Sequence, residues 1–258
     1  MPPVPAAPTK IFKLFGLGHS GSTMLGLHLA SHPQVLGVGE LGHFASRPVP
    51  ERCFCGAASG ACPFWGPLLA TTPAPQLADI VTRAEAFAPG HALVDATKAP
   101  GWDAQYLAPA MRDRIELTPI FLVRDYRGWV LSRQRLYARK GEPAQGYVRL
   151  ATSWMLNNVR TLRRIEASFA RAPVIVSYER FVADPRTHLA RVWSAAGLAP
   201  AQGAAPNLHA LWGNRLLDGQ DWRALRYDAS WISDWRSGVA PLLAPVHAFN
   251  QLLHARAA

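Results

Sequence analysis

The sequence predicts an α/β fold, a mostly parallel sheet with helices on both faces. Three observations carry this. Short apolar runs alternate with stretches of helical periodicity along the chain. The runs Pro119–Val123 and Val174–Tyr178 show almost no polar alternation, as expected of strands covered on both faces. A glycine-rich turn, Gly16-Leu17-Gly18-His19-Ser20-Gly21, joins the first apolar run to the first helical stretch.

In chain order, residues 11–15 read as the first strand and 22–31 as its helix. Val35-Leu36-Gly37-Val38 reads as the second strand and delivers Gly39-Glu40 to its C-terminal end. Residues 42–75, rich in Gly, Pro and Ala and holding all three cysteines, read as an insertion with little regular structure. Residues 76–88 place Leu77, Ile80, Val81 and Ala84 on one helical face. Residues 91–95 form a strand ending near Lys98, and 101–114 are mostly helical. Strand 119–123, helices 126–140 and 146–171, strand 174–178 and helix 186–196 follow, the last ended by Gly197. The chain then reads as irregular to about Asp228 and helical towards Ala258. The expectation is one domain over 1–258, with residues 1–9 as a flexible N-terminus.

The formal net charge is +10, and nearly all of the positive charge is arginine; lysine stands only at 10, 13, 98 and 140. Such a balance suits an anionic ligand. No arginine-rich tail or aromatic RNA-binding motif is visible, so nucleic acid is not the expected partner. No stretch approaches the ~20 apolar residues of a membrane span, and the proline- and alanine-rich start lacks a signal-peptide core. A cytoplasmic protein is the expectation.

Chemistry concentrates where strands end. Strand, glycine turn and helix N-terminus form a phosphate cradle, because glycines let several N–H groups converge and the helix dipole adds positive potential. Gly16 and Gly21 have Walker A spacing, but Ser22 follows where that loop carries Lys. A triphosphate needs a cation there, so the loop suits a smaller anion. Arg124 ends an apolar strand, and Ser132 lies about two turns into the next helix. A planar guanidinium and a hydroxyl can meet on one phosphate. His19, Glu40, Lys98 and Arg124 all fall at strand ends, where open α/β sheets bind ligands.

These residues resemble the sulfotransferases that use 3′-phosphoadenosine 5′-phosphosulfate (PAPS). In that family a basic residue followed by Ser-Gly-Ser/Thr-Thr holds the 5′-phosphosulfate, similar to His19–Thr23 here. A strand-ending Arg with Ser eight residues on holds the 3′-phosphate, similar to Arg124 and Ser132. Asp95-Ala96-Thr97-Lys98 is similar to the family's Asp-x-(Ser/Thr)-Lys run, and Tyr178-Glu179 to a segment whose tyrosine lies near the adenine. Gly213-Asn214-Arg215 and Asp228-Ala229-Ser230-Trp231 resemble a nucleotide-covering C-terminal segment of bacterial and carbohydrate-type members.

The resemblance implies a P-loop-type α/β fold and transfer of a sulfonate from PAPS to a hydroxyl, or less commonly an amine, with no metal required. It implies that Ser20, Gly21, Ser22 and Thr23 bind the 5′-phosphate. Arg124 and Ser132 would bind the 3′-phosphate, and Tyr178, Asn214 and Arg215 complete the nucleotide site. Glu40 corresponds to the proton-accepting glutamate of the tyrosyl-protein and carbohydrate branches, a plausible base if burial raises its pKa. His19 and Lys98 would stabilise charge on the sulfonate and leaving oxygen. His19 departs from the usual Arg or Lys and carries charge only when protonated. The acceptor, a small molecule, saccharide or peptide, is not named by the sequence, nor is the oligomeric state. A P-loop kinase and a non-catalytic polyanion-binding module are the alternatives.

Cys53, Cys55 and Cys62 argue against a disulfide framework by their odd number. They could bind Zn²⁺ with His43 as fourth ligand, although a structured acceptor-side lid is the favoured reading. Trp65 and Trp102 are candidate acceptor-pocket walls; Trp154, Trp193 and Trp235 read as core or helix-face residues.

Overall fold

The structure is a computed structural model and describes residues 7–202, 205–213 and 241–257. Five parallel strands form one sheet in the order β2-β3-β1-β4-β5: β1 Thr9–Phe15, β2 Val35–Gly39, β3 Ala92–Asp95, β4 Ile115–Val123 and β5 Val174–Ser177. The nine described α-helices are α1 Ser22–Leu29, α2 Trp65–Thr71, α3 Leu77–Phe87, α4 Pro100–Tyr106, α5 Tyr126–Lys140, α6 Tyr147–Ser168, α7 Tyr178–Ala183, α8 Pro185–Ala195 and α9 Ala244–Arg256.

The predicted strands are present, as are the helices expected over 22–31, 76–88, 126–140, 146–171 and 186–196. Of the helical stretch expected beyond Asp228, Ala244–Arg256 is helical and residues up to 240 lie outside the described residues. The sheet is covered on both faces. Phe12 and Leu14 of β1 pack with Leu25 and Leu29 of α1 and Val192 and Trp193 of α8. Phe15 and Phe121 lie in a second cluster with Trp154 and Leu150 of α6 and Val246 and Leu253 of α9. Each such buried side chain stabilises the fold by roughly 1.5–3 kcal/mol, so the alternation of β1 residues between the two layers fixes its register.

Some boundaries differ. β4 begins at Ile115 rather than 119, because residues 115–121 pair with the whole of β1 before β5 joins at Ile120. The stretch 101–114 is a short helix, α4, and a separate 3₁₀ turn at Pro109–Met111. Tyr178 opens α7 instead of ending β5, with the Ser177 side chain capping the helix at Arg180 N–H. The insertion 42–75 is more regular than expected. It holds α2 and two 3₁₀ turns, Leu41–Ala45 and Ser59–Ala61, because Phe64, Trp65 and Leu68 bury a hydrophobic face against α3.

The topology determines where a ligand can sit. From β1 the chain crosses to β2 and returns through β3 to lie beside β1; β4 then takes the opposite side. The crevice where direction reverses opens at the C-terminal end of β1. No helix among the described residues is long and apolar enough to cross a membrane.

Candidate active site

The glycine loop sits over that crevice. Gly16 has φ 140°, His19 φ 71° and Gly21 φ 94°. His19 is the one non-glycine residue with positive φ among the described residues, a left-handed turn that L side chains adopt at some cost. Gly21 also needs its missing side chain, since a Cβ there would lie 2.6 Å from the ring of Tyr178. The first amides of α1 lack intrahelical partners, as at any helix start, and are available to an anion. Ser20 N–H instead donates to Leu17 O at 3.2 Å, which tightens the turn.

Helix α5 holds the loop from the other side. The Asp125 side chain caps it by accepting from Arg127 N–H, and Glu179 accepts from Asp125 N–H, so the chain turns sharply after Arg124. Arg124 donates from Nη1 to His19 O at 3.3 Å and lies 4.8 Å above the Tyr178 ring. Ser132 Oγ lies 3.3 Å from His19 Nδ1. Trp129 Nε1 donates to Gly18 O at 2.8 Å, and Trp154 Nε1 donates to Arg124 O at 3.1 Å. The structure therefore brings together His19, Ser20, Gly21, Arg124, Ser132 and Tyr178. Trp129 as a tether has no sequence signature; it is visible only once α5 is docked.

Glu40 and Lys98 meet beside the loop. Lys98 Nζ donates to Glu40 Oε1 at 2.9 Å, and His43 Nε2 donates to Glu40 Oε2 at 2.8 Å. Burial pushes the Glu40 carboxyl up, but Lys98 and then His43 outweigh it and hold it below the ordinary glutamate range. The condition set for a burial-raised base is therefore not met: two cationic or donating partners on one carboxylate win over desolvation. His19 is shifted down as well. Burial comes first, followed by the positive charges of Arg133, Arg139, Arg124 and Lys98.

Lys98 is placed by a network that the sequence reading missed. Lys13, on β1, is fully buried with its Nζ 3.0 Å from Asp95 Oδ2 and 3.6 Å from Asp103. Asp95 also accepts from Tyr106 Oη at 2.6 Å and from Thr97 N–H at 2.8 Å. Burial opposes ionisation of Asp95, but Lys13 and these donors overcome it and keep its pKa low. The turn 95–98 is thereby fixed, and Lys98 closes it by donating to Ala96 O at 2.9 Å. A lysine inside the otherwise apolar run 11–15 was the available signal.

Two cavities adjoin the Glu40–Lys98 pair. One is lined by Ser22, Thr23, Glu40, Phe54, Leu208 and Trp212 among others, and is largely apolar. The other lies against Gly16–Gly18 and carries Lys98, Arg160 and Arg164. Trp65 and Trp102 line neither. Trp65 is fully buried against Phe44 and Phe64 with its Nε1 donating to His209 O, and Trp102 is a core residue. Phe54 and Trp212 take the wall positions instead. Trp154 and Trp193 are buried, as expected. Asn214, Arg215, the segment 228–231 and Trp235 lie outside the described residues.

The cysteine loop closes near this apolar cavity. Cys62 Sγ lies 3.6 Å from Cys53 Sγ, 3.7 Å from Cys55 Sγ and 3.1 Å from His209 Nδ1. His43, the expected fourth member, is engaged by Glu40 and stacks edge-on to Trp212; His209 takes its place because residues 207–209 dock along β2.

A parallel sheet with a glycine loop after its central strand defines the P-loop-like α/β class. Neither a protein-family model nor a curated protein sequence matches the chain. Solved structures do. The sulfotransferase domain of the Synechococcus PCC 7002 olefin synthase superposes with a TM-score of 0.53 at 20% identity, over 95% of this chain and 97% of that one. A sulfotransferase from Alicyclobacillus acidocaldarius gives 0.51 at 16% identity, over 96% of each chain. The sulfotransferase domain from the curacin biosynthetic pathway gives 0.52 at 17%, over 94% and 98%. The chain has the fold of these sulfotransferase domains.

Proposed function

We propose that the protein is a sulfotransferase that moves a sulfonate from PAPS to a hydroxyl acceptor. The observation that carries this reading is the convergence of Arg124 and Ser132 on His19 of the glycine loop. A ligand whose 5′-phosphate rests on the α1 amides would then present a second phosphate to an arginine and a hydroxyl. PAPS has two such groups at its two ribose ends. The shared fold supports the assignment.

In this reading Ser22, Thr23 and the α1 amides bind the 5′-phosphosulfate, with Ser20 and Gly21 shaping the turn. Tyr178, packed on Gly21 and below Arg124, borders the nucleotide; Asn214 and Arg215 would cover it. Glu40 stays ionised and accepts the acceptor proton as the oxygen attacks sulfur, with His43 on its second oxygen. Lys98, adjoining Glu40 and the loop, meets charge growing on the sulfonate and leaving oxygen. Alignment and electrostatics supply most of the acceleration, as in phosphoryl transfer. The apolar cavity leads to Glu40, which favours a hydroxyl carried on a hydrophobic body.

The kinase alternative loses its metal carboxylate. A P-loop kinase needs a metal-binding Asp after a strand; Asp95, which ends β3, is instead saturated by Lys13, Tyr106 and Thr97 in a fully buried setting. Transfer of labelled sulfate from PAPS to a panel of phenolic, aliphatic, saccharide and peptide hydroxyls tests the proposal. Turnover with any of them supports it. Binding of polyanions with no binding of 3′-phosphoadenosine 5′-phosphate would overturn it in favour of a non-catalytic module.

A further inference from the structure

The geometry points to a structural Zn²⁺ site formed by Cys53, Cys55, Cys62 and His209. All four donor atoms lie within 4.8 Å of one another. Around a tetrahedral zinc with Zn–S of about 2.3 Å, neighbouring sulfurs stand about 3.8 Å apart. The Sγ separations of 3.6 and 3.7 Å match that edge. They are far from the roughly 2.05 Å of a disulfide, and pairing any two thiols would leave the third unused.

The surrounding chain is shaped to hold these donors. Cys53 N–H donates to Ala57 O and Gly56 N–H returns to Cys53 O, a tight turn in which Gly56 takes φ 91°. A bridge between Arg52 and Ala58 closes the hairpin. Trp65 N–H approaches Cys62 Sγ at 3.5 Å, an amide–sulfur contact that favours a thiolate. His209 is set independently: its N–H donates to Gly37 O, its carbonyl accepts from Trp65 Nε1, and its ring is flanked by Phe64 and Phe87. Cys53, Cys62 and His209 are buried, while Cys55 is exposed and provides the entry side. Three thiols and an imidazole crowd one largely buried spot, an arrangement that a divalent ion would relieve. Soft thiolates with one imidazole select zinc over harder ions.

The site would join two segments 147 residues apart in sequence. It also bears on the neighbouring cavity, because Phe54 lies between two of the ligands, bonds through its N–H to Ala210 O, and lines the wall beside Thr23 and Glu40. The metal would thus fix the wall, not take part in chemistry.

The test is a metal count on the full chain expressed in zinc-supplemented medium and purified without chelator. About one zinc per chain is expected, with no thiol reacting with a chromogenic reagent until the metal is displaced. Cobalt substitution should give thiolate charge-transfer bands and the intense visible absorption of a tetrahedral ion. His209→Ala, which leaves all three thiols, should lose most of the metal and lower the Tm. Strong chelation should lower the wild-type Tm to a similar value. Three freely reactive thiols in metal-free protein whose Tm ignores added zinc would overturn the site. So would a mass two hydrogens light, the mark of a disulfide. None of these readouts needs PAPS, so they stand or fall apart from the sulfotransferase reading.

Discussion

Lys98 and Glu40, 58 residues apart, form an ion pair with Nζ 2.9 Å from Oε1 at the mouth of the crevice beside the glycine loop. The pair joins the end of β2 to the turn after β3. It keeps the carboxylate ionised and the ammonium aimed at one place, so each residue's proposed role depends on the other.

Glu40→Gln retains shape and removes basicity. We expect kcat to fall by about 10²–10⁴-fold, the usual range for a general base. Affinity for 3′-phosphoadenosine 5′-phosphate should hold, which titration calorimetry checks beside steady-state kinetics. Near-wild-type turnover would move proton acceptance to His43, the other group on this carboxylate.

Arg124→Ala should weaken 3′-phosphoadenosine 5′-phosphate binding by about 2–4 kcal/mol, since a desolvated phosphate loses a forked partner. Adenosine 5′-phosphosulfate lacks the 3′-phosphate and should bind almost as before. Equal losses for the two ligands would show that Arg124 only braces the loop through His19 O.

His19 is depressed below its ordinary pKa by burial and then by the surrounding cations. The ring is therefore not expected to carry the charge that sets the alkaline limb of the rate profile, unless bound phosphate raises it. His19→Arg should leave that limb unchanged; loss of the limb in the variant would return the charge-bearing role to the imidazole. Stability carries the complementary sign. His19 and His28 both have lowered folded pKa values, so the unfolded chain binds more protons once pH drops below about 6.5. Their contribution is present above that pH and is lost as pH falls through the folded values. Urea midpoints measured from pH 7.5 to 5 should decline, and less steeply in His28→Gln.

Lys13→Met strands Asp95 as a buried carboxylate, since Lys13 is its one cationic partner within ion-pair distance among the described residues. Breaking a buried pair from one side costs about 3–5 kcal/mol, which denaturant unfolding would register. Adding Asp95→Asn should recover part of that loss. A single variant as stable as wild type would show that the network is dispensable.

The sequence by itself determined the alternation of strands and helices, because apolar periodicity is a local property that burial on a known face imposes. It also located the glycine loop, since a positive-φ turn before a helix needs residues such as Gly16 and Gly21. The strand-end positions of Glu40, Lys98 and Arg124 followed from the same punctuation. The tertiary structure decided what those residues do to one another. Whether Glu40 is raised or lowered depends on His43, three residues on in the same turn, and above all on Lys98, which the pairing of β2 with β3 brings to it. Whether Trp65 lines a pocket or fills the core depends on how α2 packs. The exchange of His43 for His209 beside the cysteines came from a strip of chain docking on β2, 147 residues beyond Cys62. Local patterns specify elements; long-range contacts set the electric field and the neighbours, and no spacing rule within one stretch of chain encodes those.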